Sequence, residues 1–148
     1  MKISVVINTY NAEKHLATVL ETTKHFDEVV VCDMHSTDST IAIAEQYGCK
    51  IVYCDRYPYV EPARNFAIAQ ATHKWVLVID ADETVPKKLR EELYKLTEET
   101  DLGGVYIPFK NYFIDKYMRS AFPDFKLRFF RKEGADWPKE IHSTVKVK

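Results

Sequence analysis

The chain has 148 residues, 46% of them hydrophobic, enough for one compact domain with a continuous core but not for two independent ones. Its 21 Lys and Arg against 22 Asp and Glu give a formal charge of −1 with no long run of one sign, so no nucleic-acid partner is expected. No stretch approaches the roughly 20 apolar residues of a membrane span. Met1-Lys2-Ile3 leads into a strand pattern rather than a signal peptide, so the chain reads as cytoplasmic, with the inner face of a membrane the most it would touch.

Residues 3–7 (ISVVI) form a β-branched run of the kind buried on both faces of a parallel sheet. Asn8-Thr9-Tyr10-Asn11 breaks it, and Leu16, Val19 and Leu20 then recur at helical spacing from Ala12 to about His25, with Asn11 placed to cap the first turn. The cycle repeats: strand EVVVC (28–32), polar loop DMHSTDS (33–39), a helix carrying Ile41, Ile43, Ala44 and Tyr47, and a stop at Gly48. Strand KIVYC (50–54) follows, then a loop with Pro58 and Pro62, a helix in ARNFAIAQAT, and strand KWVLVID. Pro86 opens an amphipathic helix with Leu89, Leu93 and Leu96 on one face. This alternation predicts an α/β fold, Rossmann-like, with a mainly parallel sheet and helices on both faces.

The last third changes character. GVYIPFKNYF, FKLRFFR and STVKVK read as strands without clear helices, so mixed or antiparallel members are expected there. Its dense aromatics, Tyr106, Phe109, Phe129, Phe130 and Trp137 among them, suit core packing or an apolar acceptor cleft. The strand-like pattern still running at Val147-Lys148 points to a C-terminally truncated domain. Cys32, Cys49 and Cys54, an odd number in a cytoplasmic chain, are expected to be reduced structural thiols.

In a parallel α/β sheet ligands bind beyond the carboxyl ends of the strands. There the sequence collects Asn8 to Asn11, Asp33 with His35 to Ser39, and the acidic run Asp80-Ala81-Asp82-Glu83. Converging carboxylates repel, and a divalent cation removes that cost; oxygen ligands with open positions favour Mg²⁺ or Mn²⁺ held with substrate phosphates. Asp80 and Asp82 share a face if the strand continues, whereas a turn at Ala81 redirects Asp82. Arg64, near a helix start where a cation is disfavoured, fits a neighbouring anion such as a phosphate or a salt bridge to Glu61 or Asp55. Asn65 can act as a cap or a ligand group, and Glu83 as a helix cap or a site residue.

The segments SVVINTYNAEKHL, DEVVVCDMHSTDSTIAIA, EPARNFAIAQATHKWVLVIDADE and FPDFKLRFFRK, in this order, resemble family 2 glycosyltransferases of the GT-A fold. The nearest likeness is to the lipopolysaccharide core β-glucosyltransferase branch, and it implies a single catalytic domain over residues 1–148. It implies sugar transfer with inversion from a nucleotide-sugar donor, a UDP-sugar first among them, to a glycan or lipid-linked acceptor in cell-envelope polysaccharide synthesis. By the same likeness Thr9, Tyr10 and Glu13 surround the nucleotide base, Asp33 bonds the base or ribose, Arg64 faces the base or diphosphate, Asp80 contacts ribose or sugar, and Asp82 binds the metal. The branch's His-Glu pair is replaced here by KEIHSTV, leaving Asp124, Glu140 and His142 as alternatives for the catalytic base, His142 also as a metal or diphosphate contact. A nucleotide-sugar-binding protein without transfer is the competing reading. A receiver module is disfavoured by Asn8-Thr9 after the first strand, and a nucleotidyltransferase by the lack of a Gly-rich loop there.

Overall fold

The computed structural model of the chain describes residues 1–58, 61–99, 101–109, 112–113, 116–117, 124–136 and 146–147. In chain order the elements are β1 (Ile3–Thr9), α1 (Leu16–Thr23), β2 (Glu28–Asp33), α2 (Thr40–Gln46), β3 (Lys50–Tyr53), α3 (Arg64–Ala69), β4 (Trp75–Asp80), α4 (Lys87–Leu96), β5 (Gly104–Phe109), β6 (Tyr112–Phe113), β7 (Lys116–Tyr117) and β8 (Asp124–Arg131). A short 3₁₀ turn, Glu61–Ala63, leads into α3.

Six strands form one sheet in the order β3-β2-β1-β4-β8-β5, and β6 pairs with β7 in a separate ribbon. β1 to β4 are mutually parallel, with Val5 beside Val29 on one flank and Leu77 on the other. β8 runs antiparallel to both β4 and β5. The mainly parallel sheet and the antiparallel member in the last third are those expected from the element order. STVKVK, also expected as a strand, contributes among the described residues only a bridge from Lys146 to Asp136.

β1 lies at the centre, all seven of its residues buried, which is why it reads as an almost unbroken apolar run. Alternate residues serve opposite faces. Ile3, Val5, Ile7, Trp75, Leu77 and Ile79 pack with Leu16, Ala44 and Leu93 from α1, α2 and α4. Val6, Val30, Val76 and Val78 pack with Ala67 and Ile68 of α3. Trp75, fully buried, stacks on Phe129 with ring centroids 4.8 Å apart and so ties β8 to the parallel part of the sheet. α1 begins at Leu16, later than expected, because Asn11 is not its cap: Asn11 sits at φ 49° and its Oδ1 accepts the Thr37 N–H at 2.8 Å instead. The cysteines are free, as expected, and burial raises the thiol pKa of each.

At the amino end of the sheet Glu28 joins three segments. Its carboxylate accepts the Ser4 hydroxyl at 2.7 Å, the Thr72 N–H at 2.8 Å and the Thr72 hydroxyl at 2.7 Å. Partial burial pushes its pKa up, but these hydrogen bonds outweigh it and hold the group below its ordinary 4.5. A depressed folded-state pKa means stabilisation present above the unfolded value and lost as pH falls through the folded one. Glu28→Gln should therefore lower the unfolding midpoint at pH 7, with the gap to the parent closing below about pH 4.5. A gap of constant size from pH 7 down to pH 3 would refute that assignment.

Candidate active site

The strand order reverses between β1 and β4: β2 and β3 lie to one side of β1, and the chain crosses back through α3 to place β4 on the other. Crevices at such switch points, outside the strands' carboxyl ends, are where open α/β sheets bind ligands. Asn8 and Asp80 stand side by side there, in register on β1 and β4. The Asn8 amide is buried and has no hydrogen-bond partner among the described residues, so polar capacity is left at this edge.

One half of the site is a polar staple between the loops after β1 and β2. Asp33, wholly buried, accepts the Thr9 hydroxyl at 2.6 Å, the Ser36 hydroxyl at 2.6 Å and the Ser36 N–H at 2.7 Å. Ser36 Oγ accepts the Asn11 N–H at 2.8 Å, and Glu13 Oε2 accepts the Ser39 N–H at 3.1 Å. Thr9, Glu13 and Asp33 thus lie in one network of bonds between the two loops. Tyr10 is half-buried with the Arg56 guanidinium 3.8 Å over its ring centroid, a cation on a flat aromatic face. Arg56 was not among the residues the sequence singled out.

The other half is the acidic turn. β4 ends at Asp80, and the Glu83 N–H bonds the Asp80 carbonyl at 3.1 Å, so Ala81 and Asp82 form the turn and Asp82 leaves the strand face. Asp80 continues the Val76–Val78 side of β4 and meets Arg64, which α3 brings in beneath it: Nη2 lies 2.6 Å from Asp80 Oδ1. Of the partners weighed for Arg64, neither Glu61 nor Asp55 but the strand-end aspartate takes this bond. Asp80 Oδ2 lies 3.5 Å from Arg128 of β8, and Arg128 also donates to Glu83 Oε1 at 3.0 Å. Lys126 Nζ stands 4.0 Å from Glu83 Oε2.

These contacts correct the reason given for a metal. Two unit charges about 4 Å apart at an effective dielectric near 20 interact by roughly 4 kcal/mol, a sizeable part of a domain's total stability. The protein supplies the counter-charge to Asp80 and Glu83 itself, from Arg64, Lys126 and Arg128. Burial opposes ionisation of Asp80, but Arg64 and Arg128 outweigh it and hold its pKa below the ordinary carboxylate value. Burial and neighbouring Asp80 instead push Glu83 up. Glu83 is no helix cap; α4 starts at Lys87 after Pro86 in extended backbone. Asp82 alone of the acidic run is exposed, with no bond or ion pair among the described residues.

Because β8 is antiparallel to β4, its first residues reach the same edge. Asp124 opens β8 opposite Phe109 of β5, which puts its backbone at the ligand end of the sheet. Glu140 and His142 lie outside the described residues. Among the described residues no group of three or more His, Cys, Asp or Glu is arranged to hold a metal by itself. Nor is any helix among them long and apolar enough to cross a membrane.

Residues 4–144 match the sequence model of the family described as Glycosyl transferase family 2. The chain belongs to that family. An uncharacterized glycosyltransferase of Rickettsia felis is 41% identical over 93 residues, which cover 62% of this chain and 32% of that protein. The poly(ribitol-phosphate) β-N-acetylglucosaminyltransferase TarS of Staphylococcus aureus is 32% identical over 112 residues, covering 67% of this chain and 19% of TarS. A crystal structure of TarS residues 1–349 with UDP-GlcNAc superposes with a TM-score of 0.62 at 30% identity, over 74% of this chain and 35% of that one. A mannosyltransferase from Pyrobaculum calidifontis, crystallised with GDP-Man and Mn²⁺, superposes with a TM-score of 0.64 at 24% identity, over 74% of this chain and 36% of that one, which shows the shared fold. The fold is of the GT-A type expected from the sequence. The chain spans about a third of the length of the Rickettsia glycosyltransferases it matches.

Proposed function

We propose that this family 2 chain is a metal-dependent, inverting glycosyltransferase that takes a sugar from a UDP-sugar donor to a glycan or lipid-linked acceptor in cell-envelope polysaccharide synthesis. The observation that carries the reading is the division of labour in the acidic turn. Asp80 is held by two arginines at the switch point, and Asp82 stands exposed on the turn with its carboxylate unspent. One open carboxylate beside a place for phosphates is the donor set that suits Mg²⁺ or Mn²⁺, which keep waters and share substrate oxygens.

Asp82 would hold that ion, whose charge would stabilise the departing diphosphate. Tyr10, with Arg56 stacked on one side of its ring, would border the base, and the Thr9, Glu13 and Asp33 network would shape the rim around it. Arg64 and Asp80 sit where ribose and diphosphate would meet the sheet edge. Transfer with inversion forms a bond from the acceptor oxygen to the anomeric carbon as the bond to the nucleoside diphosphate breaks on the opposite face. The acceptor proton passes to a base, for which Asp124 at the head of β8 is the first choice, with Glu140 and His142 as the others. The UDP-GlcNAc complex of TarS supports a UDP-sugar donor. The FKLRFFRK strand supports placement in the lipopolysaccharide core β-glucosyltransferase-like branch.

Calorimetry with UDP and UDP-sugars, with and without Mn²⁺, paired with a turnover assay over a panel of acceptors, tests the proposal. Metal-dependent binding with transfer is the expected result. Binding without transfer to any acceptor would favour a nucleotide-sugar-binding protein, and no binding would remove the assignment.

A further inference from the structure

β8 contains an irregularity that bears on the donor site. Val105 of β5 pairs with Phe129, but Tyr106 pairs with Leu127, so Arg128 is an extra residue opposite no partner. The slip also shows in packing: Phe129 serves the α1 face of the sheet, while Leu127 and Phe130 serve the α3 face. Bulges bend a strand and re-aim a side chain. Here the re-aimed side chain is Arg128, mostly buried, lying just past the last β4–β8 pair, Leu77 with Phe129.

The guanidinium reaches both ends of the acidic turn. Nη1 bonds Glu83 Oε1 at 3.0 Å and Nη2 lies 3.5 Å from Asp80 Oδ2. Glu83 Oε1 also accepts the Asp80 N–H at 2.6 Å, so the same oxygen fixes the backbone of the residue whose side chain Arg128 steadies. The turn is thereby closed twice, by the Glu83 N–H to the Asp80 carbonyl and by the Glu83 carboxylate to the Asp80 N–H. The first is the ordinary bond of a β-turn; a solvated turn has no need of the second. An arginine fork is suited to holding two carboxylates at a set separation in a way a lysine is not.

We propose that Glu83 and the bulge residue Arg128 form a positioning clamp that sets the orientation of Asp80 and the Asp82 turn toward the nucleotide-sugar donor. The clamp rests on the donor-binding role proposed above for that turn. It transmits the placement of β8 to the donor edge, so donor affinity depends on residues that do not touch the donor.

The test compares the parent chain with Arg128→Lys and with the double variant Glu83→Gln/Arg128→Met, measuring unfolding midpoints and the Mn²⁺-dependent affinity for UDP-sugar. The lysine keeps the charge but spans only one carboxylate. The double variant removes both charges of the pair while Asp80 keeps Arg64, and loss of a whole buried pair is tolerated in stability far better than loss of one member. Both are expected to fold and to bind donor roughly tenfold to a hundredfold more weakly, since small displacements of positioning groups have effects of that size. A pair that serves stability alone would lower the midpoint and leave the affinity of the folded protein at the parent value; that result, or loss of the fold in both variants, overturns the clamp. A parent chain that binds no nucleotide sugar overturns the functional reading and the clamp together, whereas a binding parent with equally tight variants overturns the clamp alone.

Discussion

Asp82→Asn is expected to abolish the Mn²⁺ dependence of donor binding and to reduce turnover by about a hundredfold or more, the scale on which loss of one group stabilising a leaving charge is felt. The fold should be untouched. Asp82 is exposed, sits in a turn rather than on β4, and bonds to nothing among the described residues, so the change removes a charge and no internal contact. The contrast with its neighbours makes the experiment sharp. Asp80 and Glu83 carry counter-ions supplied by α3 and β8, so neutralising either removes one of the internal ion pairs of buried arginines. Asp82 is the member whose charge no described residue offsets. Calorimetry of UDP binding with and without Mn²⁺, alongside the unfolding midpoint, separates the outcomes: an intact fold with parental Mn²⁺-dependent affinity would sink the metal role.

Much of this arrangement was legible in the sequence, and the parts that were not share a cause. Strands β1 to β4 announce themselves because a central parallel strand is buried on both faces and must be apolar throughout. Their carboxyl ends announce the site because polar side chains have little reason to follow such strands otherwise. What local pattern does not carry is which distant element arrives beside which. The sequence shows Arg64 as an arginine suited to an anion, but the Asp80 carboxylate it bonds is 16 residues away on β4, and only the crossover through α3 brings the two together. Glu83, a few residues before a helix, reads equally as a cap or as a site residue; Arg128, 45 residues on, takes its carboxylate instead of the helix. Asn11 looked like a cap for the same reason, until the loop after β2 takes its side chain. Arg128 itself sits in a strand of alternating basic and apolar residues, where an unbroken pleat would put Leu127 and Phe129 on one face. The bulge that separates them follows from pairing with β5, and strand pairing has no signature in a single strand's sequence. One cue was available: two bulky residues in succession, Phe129 and Phe130, both want burial, which an antiparallel strand between two others can provide.

Asp33→Ala is expected to be the most destabilising single change at the site, and to act through the loops rather than through lost contact with a ligand. The carboxylate is wholly buried with both oxygens engaged, one by two hydroxyls and the other by a backbone N–H. Bonds to a charged acceptor contribute about 1.5–3 kcal/mol each, and a buried donor left unmatched costs about 1–3 kcal/mol. Allowing for non-additivity within one cluster, a loss on the order of 3–5 kcal/mol is expected, or roughly 6–20 °C in unfolding midpoint for a chain of this size. Asp33→Asn should fall between alanine and the parent, because one amide oxygen can still accept while the amide nitrogen faces a donor. The functional consequence follows from geometry. Thr9 and Ser36 would be released, and with Ser36 the Asn11 backbone, so the loop carrying Tyr10 between them loses its anchor on β2. If Tyr10 borders the nucleotide base as proposed, that ring must be held in place, so nucleotide affinity should fall in both variants at temperatures where they remain folded. An alanine variant that unfolds within about 1 kcal/mol of the parent would show that the staple is dispensable; if its nucleotide affinity were nonetheless lost, direct contact between Asp33 and the base would be the better account of the residue.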